Sequence, residues 1–431
     1  MKPQRRVIYF FTVLFLFTTS AAGWGKALEM SQKPEELGFS SERLTLIDKT
    51  LQNHIEKGLI PGATILIGRH GKIAYFKTYG FQDKENGDAM KQDTIFRFYS
   101  MSKPITAVAA MKMWEEGKFI LSDPVSKFIP ELKGMKVGVE KKDPQTGAST
   151  LELVPCNREM TIQDLLRHTS GMIYESPFFG KSQVQQMWAG AKIWDRNETL
   201  AEATAKLSKL PLAFQPGSVW NYSRSSDLLG RVIEVISGRS LDQYLEEGIF
   251  RPLGMKDSGF WVKPENQNRV AQPPKNPLTG KPQEMLDAAQ PPKFLAGGGG
   301  VMGTTMDYAR FCQMLLNGGN LDGVRILGPK TVAYMTSDHL GSIPAATGIS
   351  SLLVPPGKSY GLGFGLRMTP GIVSAAGSAG EYMWGGLAGT AFWVDPKEDI
   401  FVVFMLNDMI IGPSGYHSAL IRDLVYQALL K

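Results

Sequence analysis

The hydrophobic pattern near the N-terminal end predicts a helix, a hairpin and a second helix. Residues 40–59 place apolar side chains at helical spacing behind a serine suited to cap the first turn. Residues 63–76 form two apolar runs on either side of a His-Gly pair, which is typical of a β-hairpin. An extended segment, 94–99, then leads into a helix-forming run at 105–117.

The C-terminal end predicts another hairpin followed by another helix. Residues 391–406 form two apolar runs around an Asp-Pro-Lys-Glu-Asp turn, and residues 418–430 are amphipathic at helical spacing. The middle of the chain is mostly helical and loop-rich, with an irregular stretch at 262–292. This order predicts an α+β fold, in which an antiparallel sheet built from both termini is flanked by helices and interrupted by a mainly helical inserted domain.

The domain boundaries follow from the same pattern. Residues 23–134 and 295–431 are expected to form the α/β domain, and 135–294 the helical insertion domain. Residues 1–22 combine a basic start, an apolar stretch and small residues, as in a signal peptide. We therefore expect export to the periplasm or medium, with no membrane span after signal removal. An uncleaved anchor is the alternative.

Composition and charge exclude some classes of function. The chain of 431 residues is 43% hydrophobic and 20% charged, which is ordinary for a globular protein with a large core. Its net charge is +6, but the basic residues are scattered, so we expect no nucleic-acid partner. The five histidines and two cysteines show no metal-binding spacing, and we expect no metal or cofactor. Cys312 lies on the apolar side of a predicted helix and is expected to be a buried free thiol.

Ser100-Met-Ser-Lys103 is the first candidate for chemistry, because it lies where the extended segment becomes a helix. Residues three apart on a helix are neighbours, so the hydroxyl and the amine would meet. Burial and the positive helix N-terminus both favour a neutral amine, which can accept the serine proton. The alternative is a helix cap followed by a surface lysine.

Two further segments place reactive or permissive residues in turns. Tyr222 lies in a polar turn just before a predicted helix, where its hydroxyl can face a cleft. Trp384, Gly385 and Gly386 precede the C-terminal hairpin, and adjacent glycines let a substrate approach strand backbone closely.

Two other glycine-containing patterns and one histidine have simpler interpretations. Gly298-x-Gly-x-x-Gly303 lacks a preceding strand and predicts a close-packed glycine turn instead of a dinucleotide site. Gly357-x-Ser359-x-Gly361 matches a nucleophile elbow but lacks its strand and helix, so a turn entering a strand is expected. Aspartates and His417 do follow it in the order of a catalytic triad. His168 is expected to support the site by donating to nearby backbone.

Taken together, these motifs resemble the serine β-lactamase/penicillin-binding protein superfamily, and most closely its class C-like group that includes the family VIII carboxylesterases. The resemblance covers essentially all of the chain after the signal. It rests on these motifs, which occur in the family's order: Ser100-x-x-Lys103, Leu165-Leu-Arg-His-Thr-Ser-Gly171, Pro216-Gly-Ser-x-x-x-Tyr222-Ser, Pro252-Leu-Gly-Met-Lys-Asp-Ser258, the Gly297 run with its helix, and Trp384-Gly-Gly386.

The resemblance implies a role for each motif residue. Ser100 corresponds to the acylated nucleophile, and hydrolysis would proceed through an acyl-enzyme. Lys103 and Tyr222 correspond to the proton-shuttling pair, with the lysine lowering the pKa of the tyrosine; which of them takes the first proton is left open. The backbone N–H groups of Ser100 and Leu387 would form the oxyanion hole.

Two departures from the lactamase pattern bear on the substrate. Arg224 replaces the asparagine of Tyr-x-Asn, and Trp384, Gly385 and Gly386 replace Lys-Thr-Gly; all four are expected to contact substrate. Exchanging lysine for tryptophan removes a cation and adds an apolar wall, although Arg224 could supply replacement charge.

The sequence therefore predicts a serine carboxylesterase for small, short-chain esters, with possible side activity on β-lactams. The alternatives are a class C-like β-lactamase or DD-peptidase, and a non-catalytic penicillin-binding-like sensor.

Overall fold

The fold is taken from a computed structural model, which describes residues 28–147, 149–176, 180–277, 279–409 and 415–430. The predicted signal peptide, residues 1–22, lies outside the described residues. Within the described ranges, no helix is both long enough and apolar enough to cross a membrane.

An antiparallel sheet of eight strands joins the two ends of the chain. The strands of the described chain are β1 Gly62–Arg69, β2 Lys72–Asp83, β3 Asp88–Ala89, β4 Ile95–Arg97, β5 Lys136–Lys142, β6 Ser149–Pro155, β7 Met302–Thr304, β8 Asn320–Leu321, β9 Val324–Arg325, β10 Lys358–Tyr360, β11 Gly365–Arg367, β12 Tyr382–Gly385, β13 Ala391–Asp395 and β14 Ile400–Met405. The sheet runs in the order β10-β11-β12-β13-β14-β1-β2-β3, while β4–β7, β5–β6 and β8–β9 form separate pairs. Because β1 lies between β14 and β2, the prediction of a sheet built from both termini is confirmed.

Helices cover both faces of this sheet. They are α1 Ser41–Glu56, α2 Ser102–Glu115, α3 Ile162–Leu166, α4 Gln183–Ala191, α5 Leu200–Leu207, α6 Ser225–Ser237, α7 Leu241–Leu245, α8 Arg251–Leu253, α9 Thr305–Leu316, α10 Pro329–Met335, α11 Ile349–Leu353 and α12 Tyr416–Tyr426. Alternation along β1 sends Ile65 and Ile67 into a core with α1 and α12, and Leu66 into the larger core with α2 and α9. Because β1 and β14 are buried on both faces, their apolar residues form continuous runs, and these runs located both hairpins in the sequence.

The middle of the chain differs in one respect from the sequence prediction. Between β4 and β7 it contains α3 to α8, as a helical insertion requires, but also the hairpin β5–β6. This hairpin packs on α4, since a Cβ built on Gly138 would lie 2.5 Å from the side chain of Val184. The described residues of the 262–292 stretch, 262–277 and 279–292, are irregular apart from a 3₁₀ turn at Pro264–Arg269, as predicted. The boundaries at 135 and 294 stay a prediction.

A buried carboxylate ties the sheet edge to the closing helix. Glu381, just before β12, is fully buried and accepts a hydrogen bond of 3.0 Å from the hydroxyl of Tyr426 in α12. It also pairs with Arg367 of β11 at 3.5 Å and with Arg422 of α12. Two buried guanidinium groups therefore depend on one carboxylate.

We predict that Glu381→Gln lowers the free energy of unfolding by about 3–5 kcal/mol, because it leaves buried cations without their counter-charge. Urea denaturation followed by circular dichroism measures this. Glu398→Gln is the matched control, since Glu398 is more exposed and lies 3.8 Å from Arg69; its effect should stay within about 1 kcal/mol. Equal losses for the two variants would contradict the prediction.

Candidate active site

The turn between β4 and α2 places Ser100 at the start of a helix. Tyr99 has a φ of 46°, in the left-handed region that non-glycine residues rarely adopt. Its hydroxyl accepts a hydrogen bond of 3.2 Å from the N–H of Leu286, which helps to hold this conformation. The 3₁₀ turn Tyr99–Met101 then leads into α2, and Ser100 remains partly exposed at its N-terminal end.

The amine of Lys103 lies beside the hydroxyl of Ser100, as predicted from their spacing. Lys103 Nζ is 3.0 Å from Ser100 Oγ and donates to the carbonyl of Gly298 at 2.5 Å. The side chain is almost fully buried, and this burial lowers the pKa of Lys103 to about 7; attraction to Asp227 opposes the change. Near neutral pH, much of the amine is therefore unprotonated.

Tyr222 completes a three-residue cluster around the same hydroxyl. Its hydroxyl is hydrogen-bonded to Ser100 and accepts a bond of 3.4 Å from Nε1 of Trp384. Burial nevertheless raises the pKa of Tyr222, and these hydrogen bonds only oppose the rise. The expected lowering of the tyrosine pKa by Lys103 is therefore wrong. The lysine Nζ lies over the ring, 4.6 Å from its centroid. Tyr222 stays protonated at neutral pH.

Arg224 faces carboxylates instead of open space. Its guanidinium pairs with Glu175, with an Nε–Oε2 distance of 2.9 Å, and with Asp227 at 3.3 Å. It also stacks over the rings of Trp194 and Tyr174, at 3.8 and 4.8 Å from their centroids. The structure thus corrects the expectation that Arg224 supplies replacement charge to a substrate, because both carboxylates already balance it.

The glycine run contributes to the site in a way that the sequence did not indicate. Gly298 donates its N–H to Asp227 Oδ1 at 2.8 Å, while its carbonyl receives the lysine amine. A Cβ on Gly297 would lie 2.6 Å from the carbonyl oxygen of Ser226, so only glycine fits this close approach to α6. The pattern correctly predicted a close-packed glycine turn but not its contact with Lys103. Asp227 was also missed, because an aspartate in a first helical turn is common.

The Trp-Gly-Gly segment packs Gly386 against Phe98, just before the serine turn. Trp384 and Gly385 belong to β12, and a Cβ on Gly386 would lie only 2.3 Å from the carbonyl oxygen of Phe98. Thr390 fixes this approach by donating its hydroxyl to the same carbonyl at 3.2 Å. The segment that carries Leu387 therefore packs directly against the segment that carries Ser100.

Aromatic rings form the wall behind Tyr222. The ring of Trp384 lies 5.5 Å from that of Tyr222 and 5.2 Å from that of Tyr360. His168 contacts Tyr222 on another side, at 5.0 Å between centroids. Its Nδ1 lies 3.3 Å from the hydroxyl of Ser223, so its partner is a side chain and not the expected backbone. Burial and the charge of Lys103 hold the pKa of His168 well below its usual value, so the ring is neutral.

The other patterns do not form a second site. Ser359 lies in β10 at the edge of the sheet and bonds to the carboxylate of Asp338. His417 packs instead against His54 of α1, at 5.1 Å between centroids. Both cysteines are free, and Cys312 is buried as predicted. Among the described residues, no three His, Cys, Asp or Glu side chains converge in a way that could hold a metal ion.

Known proteins match this chain in sequence and in fold. The model of the beta-lactamase family matches residues 47–426, so the chain belongs to that family and is a serine hydrolase of the β-lactamase/penicillin-binding protein superfamily. It is 31% identical over 367 residues to Protein Rv1367c of Mycobacterium tuberculosis, covering 82% of this chain and 87% of that protein. It is 28% identical over 401 residues to Esterase EstB of Burkholderia gladioli, covering 88% and 94%.

Solved structures share the fold of this chain. EstCE1, described as a hydrolase with promiscuous acyltransferase activity, matches with a TM-score of 0.73 at 26% identity, over 89% of this chain and 99% of that chain. Simvastatin synthase LovD from Aspergillus terreus matches with a TM-score of 0.74 over 90% and 98%; at 23% identity it supports the fold alone.

The lowered pKa of Lys103 generates a prediction for the reactivity of Ser100. Only an unprotonated amine can accept the serine proton, so the rate of labelling by a fluorophosphonate should rise with pH through a midpoint near 7. Intact-protein mass spectrometry at a series of pH values measures this rate. The variant Lys103→Arg is the control, because arginine stays charged and should show no such midpoint. A wild-type rate that is constant through neutral pH would contradict the prediction.

Proposed function

We propose that the protein is an exported carboxylesterase that hydrolyses small, uncharged esters through an acyl-enzyme at Ser100. The observation that carries the proposal is the 3.0 Å contact between Ser100 Oγ and a buried lysine amine whose pKa lies at about 7. A base with a pKa near the working pH combines a large reactive fraction with a useful affinity for the proton. The pattern of residues 1–22 supports export.

The contacts support a specific order of proton transfers. Ser100 Oγ attacks the ester carbonyl while its proton passes to unprotonated Lys103, and a tetrahedral oxyanion forms. The backbone N–H groups of Ser100 and Leu387 would stabilise that oxyanion. Tyr222, which is protonated, donates its proton to the leaving alcohol and recovers one from Lys103. Water then attacks the acyl-enzyme by the reverse transfers, and the acid leaves with Ser100 restored.

The charges around the site favour an uncharged substrate. Lys103 is buried against Gly298, and Arg224 is balanced by Glu175 and Asp227. Trp384 adds an apolar ring where a lactamase has a lysine. An anionic β-lactam would therefore find no unpaired cation among these groups, whereas a neutral ester needs none. The Ser-Lys-Tyr contacts also argue against a non-catalytic sensor.

We predict that Ser100→Ala removes nearly all esterase activity without unfolding the protein, because no other group forms the covalent bond. Lys103→Ala and Tyr222→Phe should each lower kcat/KM by about a hundredfold or more, as expected for general acid–base groups. The three losses should be far from additive, since the residues act as a unit. Hydrolysis of p-nitrophenyl butyrate measures each rate.

Ser359→Ala is the matched control for this series and should retain most activity. Peptide mapping after fluorophosphonate labelling should place the label on Ser100. Near-wild-type turnover by folded Ser100→Ala, or a label on Ser359, would contradict the proposal.

We also predict that the wild type has a higher kcat/KM for p-nitrophenyl butyrate than for a chromogenic cephalosporin or a D-Ala-D-Ala peptide. One charged contact to a substrate carboxylate is worth about 1.5–3 kcal/mol, so Trp384→Lys should move the ratio toward the cephalosporin. Trp384→Phe is the control, because it keeps an apolar ring and adds no charge. A wild type that prefers the cephalosporin or the peptide would establish the lactamase or DD-peptidase alternative.

A further inference from the structure

The ion pair between Arg224 and Asp227 lies behind Lys103, at the start of α6. We propose that these two residues form a charge-setting pair, which holds Lys103 in place through Gly298 and controls how readily its amine takes up a proton. Arg224 and Asp227 are thus positioning residues that act through Lys103. The inference rests on the proposed function, since it assumes that Lys103 serves Ser100.

A continuous set of hydrogen bonds connects the pair to the amine. Asp227 Oδ1 accepts the N–H of Gly298 at 2.8 Å, and the carbonyl of Gly298 accepts Lys103 Nζ at 2.5 Å. A Cβ on Gly298 would lie 3.0 Å from Asp227 Oδ1, so the residue is packed tightly against the carboxylate. Any movement of Asp227 would therefore displace the carbonyl that orients the lysine.

The two charges act on the amine in opposite directions. Attraction to Asp227 raises the pKa of Lys103, and repulsion by Arg224 lowers it, in addition to the larger effect of burial. Asp227 and Arg224 are themselves buried, at 4% and 8% exposure, so solvent screens these interactions weakly. Arg224 and Asp227 therefore set the pKa of Lys103 although neither of them contacts the substrate.

The other groups around Lys103 leave this pair as the main charged influence. The rings of Tyr174 and Tyr222 lie 5.6 and 4.6 Å from Nζ, and burial raises the pKa of both tyrosines, so they are uncharged. His168 is neutral because its pKa is well below the usual value. Glu175 faces the opposite side of Arg224 and fixes the guanidinium beside Tyr174 and Trp194.

Two substitutions separate charge from structure. Asp227→Asn keeps an oxygen that can accept the Gly298 N–H but removes the negative charge, so the pH midpoint of Ser100 labelling should fall by about one unit. Arg224→Gln removes the repulsive charge, and the amine remains the most basic group of the cluster, so the midpoint should rise by a similar amount. Opposite shifts from residues three apart are not expected from a general loss of packing.

Two further variants complete the design. Asp227→Ala also loses the hydrogen bond to Gly298, so its labelling rate on the high-pH plateau should be about tenfold below that of Asp227→Asn. Arg231→Gln removes a charge from the same helix, where Arg231 pairs with Glu234 at 3.1 Å, and should leave the midpoint unchanged. Circular dichroism shows whether each variant is folded. If the Asp227 variants do not fold, the midpoint of Arg224→Gln alone tests the inference.

The quantity measured is the rate of fluorophosphonate labelling at Ser100 as a function of pH, and mass spectrometry monitors the labelling. This rate can be measured without knowing the natural ester. A lower midpoint for Asp227→Asn and a higher one for Arg224→Gln would support the inference. Unchanged midpoints, or shifts in the same direction, would overturn it while the proposed function stands. A wild type that labels at a serine other than Ser100 would overturn both.

Discussion

The burial of one amine constrains the rest of the site. A lysine removed from water must either lose its proton or find compensating partners, because an isolated buried charge is costly. Lys103 does some of each: its pKa falls to about 7, and its amine contacts Ser100 and the carbonyl of Gly298. Burying the lysine costs free energy on folding, and the same burial lowers its pKa, as the proposed role of a base near neutral pH requires.

This constraint explains why the site is assembled from distant parts of the chain. Ser100 and Lys103 follow β4, Tyr222 precedes α6, and the segment of Leu387 follows β12, more than 280 residues after Ser100 in the chain. Glycines allow close contacts between these parts, at Gly297 against Ser226 and at Gly386 against Phe98. The lysine is therefore enclosed only when the sheet has joined both ends of the chain and α6 has packed beside α2.

The sequence was sufficient to predict those features that depend on hydrophobic patterns and on short motifs. The terminal hairpins and helices, the antiparallel sheet, and the contact between Ser100 and Lys103 all follow from spacing and burial. The hairpin β5–β6 was missed because lysines and glutamates interrupt its apolar positions and most of it is exposed. The role of Gly298 and the pairing of Arg224 depend on which segments meet in three dimensions. The pKa of Tyr222 was predicted in the wrong direction, because motif spacing cannot give the burial of its hydroxyl.

The most direct test of the account is the titration of Lys103 itself. In protein labelled with ¹³C at the lysine ε-carbons, the Lys103 resonance can be assigned by its absence from the Lys103→Arg spectrum and followed by NMR as pH is changed. The account predicts a midpoint near 7, well below the ordinary lysine value of 10.5. A midpoint near that ordinary value would show that the amine is charged at neutral pH, which would contradict its role as the base for Ser100.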